Sequence, residues 1–216
     1  MAIKERLTKE CLTGWIWEYL KKILGAREDT RVAYNNMTQS PRFKEPLKYK
    51  DIEVEKFNGL ILPGGHALGM KPYLESEILQ GKVREFFDFK KPVGAICHGT
   101  IVLARTKDLS TNKSVISDYK TTSLLKLQEL SAYYLTRHKL GNYYRTYPQT
   151  VQDEVVSALN RSNDFKKGNI PILRDSAHHV NRGFIVRDKN YLSARWPGDA
   201  YRFSMEFLKM LQESEK

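Results

Sequence analysis

KPVGAICHGT, at residues 91–100, is the stretch of this sequence that decides its fold. The apolar run at 93–96 predicts a buried strand, and the residues from 98 to 105 predict a helix directly after it. Small side chains crowd the junction, which allows the backbone to turn sharply between the two elements. We therefore predict a tight strand-to-helix turn that lifts the side chain of Cys97 above the end of a sheet.

Cys97 and His98 form the candidate catalytic pair at this turn. A thiol at a helix N-terminus is expected to have a lowered pKa, and the thiolate is the reactive form of cysteine. His98 is predicted to act as a base or as a cationic neighbour of the thiol. The alternatives are that Cys97 is an inert buried cysteine and that His98 is an ordinary solvent-exposed residue at the start of a helix.

A second glycine-rich turn lies upstream, in LILPGGH at residues 60–66. A short apolar run again leads into glycines, which predicts another strand that ends in a tight turn. Backbone N–H groups in such a turn can line an oxyanion site. The presence of both turns favours a catalytic role for Cys97 over simple burial.

These two turns and two later motifs resemble the DJ-1/PfpI superfamily, whose members are relatives of class I glutamine amidotransferases. The matching segments are LPGGH at 62–66, AICHG at 95–99, YYRTYP at 143–148 and SARWPGDA at 193–200. YYRTYP is similar to a subgroup usually described as type 1 glutamine amidotransferase-like. The resemblance extends from about Leu12 to Leu211, which is almost the whole chain.

The resemblance implies an α/β fold, namely a flavodoxin-like or class I glutamine amidotransferase-like three-layer sandwich with a mainly parallel central sheet. The alternation of predicted strands and helices along the chain indicates the same class. The predicted strands lie at 57–62, 93–96, 114–116, 183–186 and 191–194, and the predicted helices at 73–89, 98–105, 124–137 and 151–159, with a last helix opened by Pro197. Such sheets bind ligands at the carboxyl ends of their strands, where Cys97 is expected.

The N-terminal part departs from the superfamily pattern. Members begin with a strand, a helix and a second strand, whereas this sequence has no such apolar strand before Phe57. The acidic residue that normally follows the first strand and bonds to the nucleophilic cysteine therefore has no counterpart here. We expect residues 1–50 to be helical or irregular, with helices near 15–24 and 31–37, and residues 51–216 to form one DJ-1/PfpI-like α/β domain.

The resemblance also implies roles for the residues around the strand-to-helix turn at Cys97, which is called the elbow below. Cys97 becomes the nucleophile, His98 the base, and the backbone N–H groups of Gly65 and His98 the oxyanion site. The predicted oxyanion and pocket residues are Gly64, Gly65, His66 and Gly99. Some relatives place the acid that orients the histidine roughly thirty residues after the cysteine. Glu129 and Asp118 lie in that region, and Glu129 is preferred, although each can equally be an ordinary surface carboxylate.

The activity that the resemblance implies is that of a cysteine-dependent hydrolase or lyase. Its substrates would be small carbonyl compounds such as methylglyoxal, as in glyoxalase III or deglycase reactions, or amide bonds. No cofactor is expected. The alternative is a catalytically impaired member that acts as a redox sensor or a chaperone-like stress protein. Superfamily members are usually dimers, so a homodimer is expected.

Composition limits the other classes of function. The chain has 216 residues and a net charge of +11, but its basic residues are scattered and acidic residues interleave with them, so nucleic-acid binding is not expected. The two cysteines are too few for a disulfide framework, and no ligand spacing requires a metal. The charged start and the lack of a long apolar run argue against a signal peptide and a membrane span, so we expect a cytoplasmic protein.

Overall fold

The computed structural model describes residues 28–215 of the chain. The chain separates into two compact units, Met1–Leu47 and Lys48–Lys216, and each is described by itself. The domain boundary predicted between residues 50 and 51 stays a prediction.

The described part of the first unit is helical. Helix α1 spans Glu28–Gln39, and a single helical turn, α2, spans Pro41–Lys44. The helix predicted near 31–37 is therefore present and extends further in both directions. The helix predicted near 15–24 lies outside the described residues.

The second unit is an α/β structure built on a four-stranded sheet. Its strands are β1 (Leu60–Leu62), β2 (Val93–Ile96), β3 (Ile185–Asp188) and β4 (Tyr191–Ala194). Its α-helices are α3 (Lys71–Leu74), α4 (Glu77–Asp88), α5 (Gly99–Arg105), α6 (Lys126–Leu140), α7 (Val151–Ser157) and α8 (Ala200–Ser214). The strand order is β1-β2-β4-β3, with β1, β2 and β4 parallel and β3 antiparallel to β4. The predicted α/β class with a mainly parallel sheet is confirmed.

Both faces of the sheet are covered by helices. Because side chains alternate along a strand, β2 and β4 contribute apolar residues to two separate cores. One core also takes residues from α4, α5 and α7, and its strand members include Leu62, Val93, Ala95 and Tyr191. The other lies under α8, and its members include Leu192, Ala194, Phe203 and Phe207. The three-layer arrangement places the carboxyl end of β2 at the centre of the sheet edge where the site lies.

The strand predicted at 114–116 is wrong. Only an isolated bridge joins Ser114 to Lys107, and the following residues form turns. Ser114 donates its hydroxyl to the carbonyl of Leu103 at 2.9 Å, and its Oγ accepts from the N–H of Ile116 at 3.3 Å. The N–H of Val115 also donates to the carbonyl of Thr106 at 2.9 Å. These local bonds satisfy the backbone, so the segment does not join the sheet.

Two other predicted elements are shorter than the apolar pattern indicated. The strand predicted at 57–62 is reduced to β1, since pairing with β2 begins only at Leu60 and residues 57–59 link β1 to a 3₁₀ turn at Val54–Lys56. The helix predicted at 73–89 is divided into α3 and α4. Ser76 causes this break, since its backbone is extended and its hydroxyl accepts from the N–H of Leu79 as the N-cap of α4.

Candidate active site

Cys97 lies at the turn between β2 and α5, at the carboxyl end of a central strand. Its φ angle is +58°, in the left-handed region that costs a residue with a β-carbon roughly 1 kcal/mol or more. Its N–H donates to the carbonyl of Ala194 on β4 at 3.1 Å, so the sheet holds the strained residue in place. Strain of this kind is typical of a nucleophile presented on a sharp strand-to-helix turn.

Two glycines allow the elbow to contact the turn at 60–66. A β-carbon on Gly99 would lie 2.1 Å from the carbonyl oxygen of Leu62, and one on Gly64 would lie 2.5 Å from the Cβ of Cys97. Both distances are far shorter than van der Waals contact, so this backbone arrangement accepts only glycine at the two positions. The two turns that the sequence predicted separately therefore meet at one place.

The thiol of Cys97 contacts the neighbouring imidazole. Its Sγ lies 3.4 Å from Nδ1 of His98. Burial raises the pKa of Cys97 to about 12, against a smaller lowering by the backbone N–H of His98. The lowered pKa expected from the helix N-terminus is therefore not found, because removing the thiolate from water outweighs the local dipole. The thiol of Cys97 therefore carries its proton at neutral pH.

His98 is buried and neutral rather than exposed at the helix start. Only 1% of its surface is accessible, and burial lowers its pKa to about 4, with a smaller contribution from the nearby ring of His66. A neutral imidazole has one nitrogen free to accept a proton. Its hydrogen-bonding contacts go to Cys97 through Nδ1 and to the hydroxyl of Thr146 through Nε2, the latter at 3.3 Å.

The burial of His98 makes stability depend on pH in a defined direction. In the unfolded chain histidine binds a proton near pH 6.5, whereas the folded protein binds it only near pH 4. The unfolded state is therefore protonated first as the pH falls through this window, and between pH 7 and pH 4.5 the folded state loses about 2.5 kcal/mol of relative stability. Urea unfolding at pH 7 and at pH 4.5 is expected to show this loss in the wild type and a clearly smaller one in His98→Gln. Equal losses in the two proteins would contradict the assignment.

Glu129 contacts the aromatic loop at 141–148 rather than the histidine. One carboxylate oxygen accepts from Arg145 Nη1 at 3.0 Å, and the other accepts from the N–H of Val151 at 2.9 Å. Burial raises the pKa of Glu129, and the Val151 N–H and Arg145 oppose that rise. Arg145 also donates to the carbonyl of Pro148. Glu129 therefore fixes the loop that runs past His98, and its predicted role as the acid that orients His98 has no direct contact to support it.

Removing the Glu129 carboxylate is expected to destabilise the fold. In Glu129→Ala the guanidinium of Arg145 loses its buried counter-charge, which costs about 3 kcal/mol for a pair of this kind. The matched control is Glu53→Ala, because Glu53 pairs with Lys56 at 2.7 Å on the surface, where such pairs contribute less than about 1 kcal/mol. Unfolding free energies from urea titration distinguish the two. A loss in Glu129→Ala no larger than in the control would refute this role.

The other predicted carboxylate lies away from the pair. Asp118 accepts from the side-chain amide of Asn160 at 2.7 Å in an exposed position. It therefore behaves as the ordinary surface carboxylate that the sequence allowed.

His66 lies beside His98, and its ring packs against two tyrosines of the aromatic loop. Its ring stacks on Tyr144 with centroids 4.2 Å apart, meets Tyr143 edge-on at 4.8 Å, and lies 6.3 Å from the ring of His98. Burial lowers the pKa of His66. Within residues 28–215 its Nε2 is buried and has no hydrogen-bond partner.

The geometry also leaves backbone donors available at the elbow. Within the described ranges, neither the N–H of Gly65 nor that of His98 donates to a protein oxygen. His98 is the N-cap of α5, where a free N–H is expected. These are the two groups that the sequence assigned to the oxyanion site, and that assignment stays a prediction.

A polar, aromatic cleft of about 340 Å³ adjoins the site. It is lined by Leu130, Tyr133, Tyr134, Asn142, Arg145, Thr146, Tyr147 and Pro148. Thr146 lines this cleft and also contacts His98, so the cleft extends to a direct neighbour of the imidazole.

Neither a metal-binding cluster nor a membrane-spanning helix is present among the described residues. In residues 28–215 no cluster of three or more His, Cys, Asp or Glu side chains has the arrangement of a metal site. None of the helices described there combines the length and the apolar character needed to cross a membrane.

Thr146 is the site residue that the sequence analysis missed. It lies 48 positions after His98 in the chain, in the YYRTYP segment. The sequence signal that could have indicated Thr146 is the YYRTYP motif itself, in which it is the single threonine.

A mainly parallel α/β sheet with a cysteine on a strained strand-to-helix turn, directly followed by a buried histidine, defines the chain as an α/β protein with a cysteine elbow. A family model described as ThiJ/PfpI family-like matches residues 5–167, which is more than half of the chain. The chain therefore belongs to this family, in agreement with the resemblance to the DJ-1/PfpI superfamily.

Curated relatives and solved structures agree with this assignment. A deglycase of Thermococcus kodakarensis is 25% identical over 77% of this chain and 69% of its own length. The deglycase PfpI of Pyrococcus furiosus is 24% identical over 78% of this chain and 71% of its own length. The crystal structure of glyoxalase III from Candida albicans has a TM-score of 0.64 at 18% identity, over 85% of this chain and 70% of that chain. The 24 kDa Rapid Encystment Protein of Francisella tularensis has a TM-score of 0.63 at 19% identity, over 87% of this chain and 73% of that chain. At these identities the structural likeness shows the fold alone.

Proposed function

We propose that this protein is a cysteine-dependent enzyme that converts small α-oxoaldehydes such as methylglyoxal into hydroxy acids. The observation that carries the proposal is the strained elbow, where Cys97 at φ +58° holds its Sγ 3.4 Å from a nitrogen of His98. A cysteine kept at a strained angle beside a neutral base is better explained by reactivity than by packing.

The reaction begins with attack of Cys97 Sγ on the aldehyde carbon. The thiol proton passes to Nδ1 of His98 as the carbon–sulfur bond forms, because the thiol is protonated at rest and His98 is neutral. The N–H groups of Gly65 and His98 stabilise the developing oxyanion, which then takes the proton and gives a hemithioacetal.

Isomerisation and hydrolysis complete the cycle. His98 removes the hydrogen of the sulfur-bound carbon as a proton and returns it to the neighbouring carbonyl carbon through an enediol. The former aldehyde carbon is thereby oxidised to a thioester while the ketone is reduced to an alcohol, so no external oxidant or reductant is needed. Water then cleaves the thioester, which releases lactate and restores the thiol.

The relatives support the choice of substrate class. Four curated relatives are named as deglycases, and a solved structure with the same fold is glyoxalase III. The identities of 25% or less leave the particular carbonyl substrate to experiment.

The test is turnover of methylglyoxal by the purified full chain, without added thiol, followed by proton NMR. The expected result is lactate in amounts that exceed the protein many times over, with equal consumption of methylglyoxal. Consumption without lactate, or no consumption, would contradict the proposal. The second of these results would favour the catalytically impaired alternative.

A redox-sensor role fits the site less well. Sensor cysteines are accessible and have a low pKa, whereas Cys97 is buried and burial raises its pKa. The chaperone-like role, the amide substrates, the homodimer and the cytoplasmic location stay predictions.

A further inference from the structure

Thr146 occupies the position next to His98 where an acid was expected. Its Oγ1 lies 2.7 Å from the backbone carbonyl oxygen of His66 and 3.3 Å from Nε2 of His98, and only 3% of its surface is accessible. We propose that Thr146 is the positioning residue that fixes the tautomer of His98 and so leaves Nδ1 free to take the thiol proton. This inference rests on the proposed function only in making His98 the base.

The number of protons available to Thr146 and His98 decides the tautomer of the imidazole. The carbonyl of His66 can only accept, so the single hydroxyl proton of Thr146 is donated to it at 2.7 Å. The Thr146 oxygen therefore faces Nε2 of His98 as an acceptor, which requires the ring proton to be on Nε2. Since a neutral imidazole carries one ring proton, Nδ1 is left with a lone pair toward Sγ of Cys97 at 3.4 Å.

The threonine differs from a carboxylate in charge. A carboxylate would stabilise the imidazolium that forms when His98 takes the thiol proton, whereas a hydroxyl orients the ring without adding negative charge. A resting thiolate–imidazolium pair is therefore not expected here. The proton moves only as the thiol attacks its substrate.

Glu129 stabilises this arrangement indirectly, through the loop that contains Thr146. It holds Arg145, which directly precedes Thr146, and the N–H of Val151 on the other side of the loop. The carboxylate therefore fixes the backbone that presents the hydroxyl.

The experiment is nitrogen-detected NMR of the full chain labelled in its histidines, at neutral pH, with His98→Gln used to assign the signal. The wild type is expected to show His98 as a single tautomer with its proton on Nε2. Thr146→Val replaces the hydroxyl with a methyl group of similar size, and we expect the proton to shift at least partly to Nδ1. Thr146→Ser restores the hydroxyl and should restore the wild-type signal.

Thr136→Val is the matched control. Thr136 is equally buried, and its hydroxyl bonds to the carbonyl of Ala132 within α6, so the His98 signal should not change. A wild-type tautomer with the proton on Nδ1 would overturn the proposal. So would a Thr146→Val protein that keeps the pure Nε2–H form.

Kinetics provide a second readout. Thr146→Val should lower kcat for methylglyoxal by roughly tenfold to a hundredfold, below the full contribution of a positioned base, with KM little changed and recovery in Thr146→Ser. Because the NMR signal does not depend on turnover, an inactive wild type with the expected tautomer would end the proposed function and leave this inference standing. Unchanged kcat in an active Thr146→Val protein would overturn the inference alone.

Discussion

Replacing Cys97 with serine is expected to lower the turnover of methylglyoxal by about 10³-fold or more. A hydroxyl is harder to deprotonate than a thiol, and His98 is a weak base because burial lowers its pKa to about 4. The fold should survive, since a serine Oγ can still hydrogen-bond to Nδ1 of His98, and the free energy of unfolding should change by only about 1 kcal/mol. Steady-state kinetics and urea unfolding of the same preparation measure both effects.

Cys11→Ser is the matched control for this experiment. Cys11 is the second of the two cysteines in the chain and has no assigned role. Its replacement should leave turnover at the wild-type level. Wild-type activity in Cys97→Ser, or equal losses in both variants, would refute the assignment of Cys97 as the nucleophile.

Replacing Gly99 with alanine is expected to destabilise the fold by at least about 3 kcal/mol or to prevent folding. The new β-carbon would lie 2.1 Å from the carbonyl oxygen of Leu62 and 2.7 Å from that of Pro63. These are backbone atoms of the turn after β1, so no side-chain rotation can relieve the clash. Separating α5 from that turn would also move His98 and the elbow.

The same substitution at Gly81 should have the opposite sign. Gly81 lies inside α4, where the nearest atom to an added β-carbon is the end of the Arg84 side chain at 3.9 Å. Alanine favours the helix there by about 0.5–1 kcal/mol. Urea unfolding of both variants is the measurement. A Gly99→Ala protein as stable as the wild type would show that β1 and α5 are not in contact at this point.

The elements around the elbow could be predicted because their signals are local. The apolar run of β2 and the small residues after it specify a strand and a sharp turn within ten residues, and the structure has β2 at the predicted bounds. The strand expected at 114–116 was wrong because an apolar pattern indicates burial but does not show what the backbone pairs with. Ile116 is buried as the pattern indicated, but the hydroxyl of Ser114 and a short backbone pairing with Thr106 satisfy the segment locally, without a strand of the sheet beside it.

The site was predictable only where its parts are close in sequence. Cys97 and His98 are adjacent, and their contact follows from the elbow. Thr146 reaches His98 through a loop whose course depends on the Glu129–Arg145 pair, and no spacing rule connects these residues. The predicted direction of the Cys97 pKa shift was wrong because the helix N-terminus could be read from the sequence while the extent of burial could not.

Detection of the bond between Cys97 and its substrate tests the central claim most directly. Methylglyoxal labelled with carbon-13 at the aldehyde carbon is added to Cys11→Ser protein, in which Cys97 is the only thiol. We expect a carbon-13 NMR signal from a sulfur-bound hemithioacetal or thioester carbon during turnover, and no such signal when Cys97 is also replaced by serine. Lactate formation without any sulfur-bound carbon, or with Cys97 absent, would contradict the central claim.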